Sequence, residues 1–205
     1  MTTPSIKGTV FASVVETIRK AIESGEISPA RAERDLRPAD HEMLEAPIVA
    51  SLWYDIRSFA RLSEFLRDTL GGGDDAYLVG LGRDSARALL ESGVNAQIQF
   101  LHKSAKDRGR GAQITPTETR ELLSMNNAMV KSIYNFTEWV TQADPRHPAR
   151  YVTEIRDAAD FPEACIWRAL GFTGEMAEWR GGSAEIYKWR RMSLDVVQIY
   201  MTRDP

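Results

Sequence analysis

One cysteine, Cys165, serves the whole 205-residue chain, and that scarcity excludes an internal disulfide and any all-cysteine zinc site. Histidine is nearly as scarce, with only His41, His102 and His147. His41 and Glu45 stand four apart in "HEMLE", which is not HExxH, and no further histidine or cysteine is placed to complete a metal shell. No GxSxG elbow is present, and neither His102 nor His147 has the sequence neighbours of a catalytic triad. Long apolar runs are missing too. The stretch around "APIVASLWY" is far shorter than the roughly eighteen residues a spanning helix needs, so no membrane span is expected. In "MTTPSIKGTVFASVVETIRK", Glu16 and Arg19 break the apolar run and no small-residue cleavage site follows, so the reading is cytoplasmic, without a signal peptide. Charge of one sign is also lacking. Twenty-six basic against 29 acidic residues leave a net charge of −3, which supplies no global field for nucleic acid.

What is present is ordinary for a globular protein: 43% hydrophobic and 27% charged residues, in a length that suits one domain able to bury a core without metal or disulfide. In "GTVFASVVETIRKAIES", Val10, Phe11, Val14, Val15, Ile18 and Ile22 fall on one helical stripe, with Glu16, Arg19 and Lys20 opposite. Gly25 stops that helix, and Ser28 followed by Pro29 opens another. "SLWYDIRSFARLSEFLRDTL" repeats Trp53, Ile56, Phe59, Leu62, Phe65, Leu66 and Leu70 at spacings of three and four, predicting a helix that ends at Gly71. Asp74 caps the next, which runs to Gly93. "NAQIQFLHKSAK" continues as helix, "DRGRGAQITP" is an exposed loop, and "TETRELLSMNNAMVKSIYNFTEWVTQ" is a long helix ending before the hinge-like "ADPRHP".

Beyond that hinge the character changes. "RYVTEIRD" alternates with period two, as a strand does, and Asp160 with Glu163 reads as a capping box opening "FPEACIWRALGFTGEMAEW". "AEIYKWRR" and "LDVVQIYM" then form a hairpin around a turn at Met192 and Ser193. A lone hairpin is marginal in water, so these strands must lay an apolar face on the helices. The expected fold is therefore α+β, with five or six helices packed on a small C-terminal antiparallel sheet. Residues 1–6 read as a tail and 7–205 as one domain, helical over 7–145 and strand-helix-hairpin over 149–203.

Four stretches invite a functional reading. "YLVGLGRDSARALL" resembles a phosphate loop, but Asp74 starts its helix upstream of Gly80 and Gly82, leaving the glycines inside the helix, where they permit close packing. Cys165 sits among Phe161, Ile166, Trp167, Ala169 and Phe172, the setting of an inert thiol whose pKa the neighbouring Asp160 and Glu163 raise. "HKSAKDRGRG" is basic but has no interleaved aromatics and reads as a solvated loop. In "YKWRR", Tyr187 and Trp189 share a strand face, and in the second strand Val196 and Tyr200 oppose Val197 and Ile199. Only one face can lie on the helices. Tyr187, Trp189 and Tyr200 thus become a candidate interaction surface, unless another part of the chain covers it.

"KGTVF" at 7–11, the stretch 51–90 and the closing strand, helix, glycine and hairpin resemble an uncharacterised myxobacterial domain family. That family is similar in turn to 4-vinyl-reductase-type, heme-NO-binding-like and TRAPP-like domains. The resemblance runs through residues 7–90; over 149–203 it lies in the order of elements. It implies a TRAPP-like domain, often a homodimer, whose helices and sheet can enclose an apolar pocket. No site residue carries over: zinc-binding relatives use several cysteines, and the histidine with tyrosine-serine-arginine signature of heme-binding relatives is missing. No cofactor is expected. The function expected is that of a non-enzymatic sensory or interaction module, binding a hydrophobic small molecule or a signalling partner, with Trp53, Tyr54, Phe59 and Trp167 as candidate pocket residues. The alternative is a structural scaffold that dimerises without a ligand.

Overall fold

Phe11, Val14, Val15 and Ile18 are almost wholly buried, so the apolar stripe is the inner face of helix α1 (Gly8–Glu23). Gly25 ends it in the left-handed region at φ 81°, where a side chain would be strained, and the Ile27 N–H closes the turn on the Ala21 carbonyl. Helix α2 (Pro29–Asp35) starts on Ser28, whose Oγ accepts from the Arg31 N–H at 3.3 Å. Helix α3 (Pro38–Glu45) follows. Arg19 of α1 donates to the Leu44 and Ala46 carbonyls at 2.6 and 2.7 Å, satisfying groups that the end of α3 leaves open. The computed structural model describes residues 3–91, 124, 127, 129–144, 147–179 and 187–201.

A buried ion pair fastens α3 to helix α4 (Ile56–Leu70). Asp40 is 1% exposed and receives the Arg61 fork, Nη2 at 2.6 Å and Nε at 3.0 Å. It also accepts the Arg37 N–H at 3.3 Å. The hydrogen bond to Asp40 raises the Arg61 pKa, as expected of a cation held in place by its partner.

Two short strands correct the expected start of the domain. Strand β1 (Ser5–Lys7) pairs antiparallel with β2 (Trp53–Asp55), Ile6 opposite Tyr54. Residues 5 and 6 are therefore not tail: Ile6 is fully buried and makes a further bridge to Tyr134. The Ser5 N–H donates to Asn135 Oδ1 at 2.8 Å, and the Ser5 carbonyl accepts the Asn135 N–H. Residues 53–55 are extended rather than helical because Asp55 is the N-cap of α4, accepting the Arg57 N–H at 2.8 Å. Helix α5 (Asp75–Glu91) begins as expected on Asp74, whose Oδ1 accepts from the Ala76 N–H at 2.9 Å.

The C-terminal sheet has four antiparallel strands, β3 (Glu138–Asp144), β4 (His147–Arg156), β5 (Tyr187–Ser193) and β6 (Val196–Met201), in the order β3-β4-β6-β5. The first was expected to be the end of a long helix. Residues 129–133 are helical, but 138–144 are strand, because "TEWVTQ" alternates: Trp139 faces Ile155 on the core side while Glu138 and Gln142 are exposed. The hairpin turn lies at Leu194 and Asp195, not at Met192 and Ser193. A bulge between Arg191 and Ser193 shifts the register, and the Asp195 carbonyl is committed to the Ala158 N–H at 2.9 Å.

Helix α6 (Glu163–Trp179) is the middle layer. On one side Trp167 meets Trp189 of β5 edge to face at 5.4 Å. On the other it presses on α5 so closely that a Cβ on Gly82 would land on the Arg168 carbonyl, and one on Gly171 on the Val79 carbonyl. The bidentate pair of Arg87 with Glu175, 2.9 Å on both arms, adds a polar clasp to this contact. The expected capping box is corrected. The helix starts at Glu163, after Phe161 and Pro162, and Asp160 instead pairs with Arg57 at 3.0 Å. Helices packed on a C-terminal antiparallel sheet are thus the architecture, with α6 buried between the two.

Candidate functional site

Between Glu163 and Glu175 the chain has one charge, Arg168, and the surrounding "ACIWRALGF" is apolar on every side of the helix. A surface helix would turn such an arginine to water. In α6, which is covered on both sides, it has nowhere to go: Arg168 is 6% exposed. Its Nη1 reaches Ser63 Oγ of α4 and its Nη2 reaches Ser85 Oγ of α5, each at 3.4 Å. These are long contacts, weak by hydrogen-bond standards. The guanidinium carbon lies 4.8 Å from the centroid of the Phe59 ring, a cation–π contact.

No carboxylate among the described residues pairs with Arg168. Asp84 of α5 is exposed and already paired with Arg87 at 3.3 Å. Glu64 of α4 is half-buried, and burial raises its pKa. Burial likewise pushes the Arg168 pKa down, with Cys165, Tyr134 and Tyr77 opposing. A guanidinium has five donors, and among the described residues its side-chain partners are two hydroxyls at long range.

The groups beside it are held neutral. Burial pushes the Cys165 thiol up to about 12, more than Arg168 lowers it, with Glu64 adding to the rise. The expectation of an inert thiol stands, but its cause is desolvation rather than Asp160 and Glu163. Burial also raises the Tyr134 phenol. The Tyr134 ring stacks on Trp139 at 5.8 Å and meets Phe161 edge to face at 5.3 Å, so an aromatic block with Phe136 closes the space between α6 and the sheet. At pH 8 the native protein should resist a thiol reagent such as DTNB, and one thiol should react once guanidinium unfolds it. Fast native labelling would contradict the burial of Cys165.

The residues expected from sequence are dispersed. Phe59 lies under Arg168 and also touches Phe11 at 6.0 Å. Tyr54 stacks on Phe11 at 4.7 Å, and its hydroxyl accepts the Val49 N–H at 2.8 Å. Trp53 is 41% exposed, with Lys7 Nζ 4.4 Å from its ring centroid. Trp167 faces the sheet, and its buried Nε1 has no hydrogen-bond partner among the described residues. Phe59 alone of the four stands at the guanidinium.

The candidate interaction surface is not one surface. Trp189 pairs with Ile199 on the core side, whereas Tyr200 pairs with Lys188 on the outer side, where Arg190 lies 5.1 Å from its ring. The side chain of Tyr187 lies outside the described residues, as does the whole of "HKSAKDRGRG" with His102. Arg191, exposed at its strand end, donates to the carbonyls of Ala158, Phe161 and Leu194 at 2.9 to 3.1 Å, tying the start of α6 to the hairpin. Met192 and Leu194 at the turn, and Val49, Leu52 and Trp53 near β2, are the large exposed apolar side chains among the described residues.

Arg168 and Ser63 have no place in the sequence reading, and Ser85 enters it only as the serine that follows Gly80 and Gly82 in the rejected phosphate loop. A lone arginine in an all-apolar helical turn was the available signal. Among the described residues no group of three or more histidine, cysteine or acidic side chains could hold a metal, and no helix is long and apolar enough to cross a membrane. Comparison with protein-family models, with curated proteins and with solved structures finds no match to this chain.

Proposed function

We propose that the chain is a non-enzymatic ligand-binding module of bacterial signalling or regulation, with its site between α4, α5 and α6 around Arg168. One observation carries this reading: a guanidinium enclosed by the core, in contact with two hydroxyls and a ring, and lacking an acid among the described residues. Burying an unpaired ion costs several kcal/mol, and a hydrophobic residue of similar volume would serve packing better. Groups that lower stability in this way are what functional sites retain. Binding rather than turnover is supported by the neighbours. Burial favours the neutral thiol of Cys165 and the neutral phenol of Tyr134, which makes them poor nucleophiles and bases near neutral pH. The resemblance to TRAPP-like and 4-vinyl-reductase-like domains implies the same kind of role.

Replacement of Arg168 tests the reading. Arg168→Met is expected to stabilise the empty protein by about 1 to 4 kcal/mol, the range found when buried ions give way to apolar side chains. Thermal and urea unfolding measure it. A loss of similar size would make Arg168 a structural residue and end the proposal. The scaffold reading, a homodimer with no ligand, draws on the exposed Val49, Leu52 and Trp53. Native mass spectrometry separates the two: a co-purifying small molecule supports the module, and an empty dimer supports the scaffold.

A further inference from the structure

We propose that the ligand is an organic monoanion, a single carboxylate on an otherwise apolar body, with its carboxylate on the Arg168 guanidinium and the Ser63 and Ser85 hydroxyls. This rests on the ligand-binding reading above and gives its chemical class.

Three features select it. A guanidinium fork matches a carboxylate with two parallel hydrogen bonds, a geometry that a hydroxyl partner cannot supply. Ser63 is fully buried and Ser85 partly so, each with its Oγ at 3.4 Å from a guanidinium nitrogen. Both hydroxyls can turn a proton toward an incoming oxygen, although Ser85 must release the Leu81 carbonyl, to which it donates at 2.9 Å.

Charge count comes next. Among the described residues the site has one cation, and Asp84 is engaged elsewhere. One negative charge neutralises the guanidinium, whereas a phosphate dianion would leave a second charge buried without a partner, at high cost in a medium of low dielectric.

The walls are the third feature. Phe59 stacks on the guanidinium, and Tyr134 and Cys165 act on it across the same interior. Apolar walls with one ionic group and a few hydroxyls suit a ligand that is apolar except at one end.

The experiment compares pairs of matched shape on the wild-type protein: sodium benzoate with benzamide, and sodium octanoate with octanamide, with inorganic phosphate as a further probe. Calorimetric titration and thermal shift provide the readouts. One carboxylate should bind and raise the melting temperature, with its amide roughly tenfold to a hundredfold weaker, the factor that loss of a hydrogen bond to a charged group brings. In Arg168→Met that preference should vanish. If amide and acid bind alike, the anion class is overturned while the ligand-binding reading survives. If phosphate binds and neither carboxylate does, the site takes an inorganic anion and the carboxylate is overturned. If none of the five binds, both inferences fall. The wild-type comparison decides the matter even where Arg168→Met does not fold.

Discussion

Gly82→Val is expected to remove at least about 3 kcal/mol of stability or to abolish cooperative folding, while Gly80→Ala two residues away raises stability by up to about 1 kcal/mol. The difference comes from what each position faces. At Gly82 the first added carbon meets the Arg168 carbonyl and the backbone around Phe172; at Gly80 nothing lies within 4 Å. The obstruction at Gly82 is main chain, which cannot rotate aside, so α5 and α6 must separate and carry the core contacts with them. At Gly80 the helix gains the intrinsic preference for alanine over glycine. Gly171→Val meets the Val79 carbonyl from the other side and should be as damaging as Gly82→Val. Urea unfolding followed by circular dichroism measures all three. Equal stabilities for the Gly80 and Gly82 variants would mean that the two backbones do not touch.

Asp40→Ala is expected to cost about 1 to 3 kcal/mol, because it removes both hydrogen bonds of the fork that the partly exposed Arg61 makes to a buried carboxylate and leaves Ser58 Oγ at 2.9 Å as a remaining partner. The double variant Asp40→Leu, Arg61→Met should recover most of that loss, since it removes both charges rather than one. Asp160→Ala, which breaks an exposed pair with Arg57, should have little effect. Chemical denaturation of the three variants separates a buried ion pair from a surface one. A loss no larger than that of Asp160→Ala would show that the Asp40 pair holds α3 to α4 no better than a surface contact.

Arg61, partly exposed, and Arg168, buried, are held by different partners. Arg61 lies on an amphipathic helix and Arg168 in an apolar one, but local spacing names the partner of neither. Arg61 meets an acid 21 residues away and Arg168 meets hydroxyls 105 and 83 residues away; such encounters belong to tertiary structure. The parts that were legible depend on short-range rules. The stripe of α1, the Ser28 and Asp74 caps, the glycine stops and the alternation of β4 all follow from residues a few positions apart. Gly82 was legible in kind, as a packing glycine inside a helix, but not in the identity of the carbonyl it admits.

The misreadings have physical causes. "NFTEWVTQ" follows a helical stretch, and its period of two was overridden by that continuity, although Trp139 and Thr141 share the core face. Trp53 continues the apolar spacing of α4 by coincidence, since Asp55 ends the extended segment by capping the helix. Asp160 and Glu163 have capping-box spacing, but Pro162 between them accepts the Cys165 and Ile166 N–H groups and starts the helix there. Trp189 and Tyr200 were grouped by aromatic character, whereas register puts them on opposite sides of the sheet.

The pairing of Ser5 and Ile6 with Asn135 and Tyr134 sets an order of events during synthesis. The first strand leaves the ribosome about 130 positions ahead of these partners. Until they emerge, Ile6 lacks the bridge that completes its enclosure, so the N-terminal half is a waiting intermediate rather than a finished unit. Nascent chains arrested short of Tyr134 should therefore be cut by protease around Ser5 and Ile6, and chains arrested well past Asn135 should be protected there.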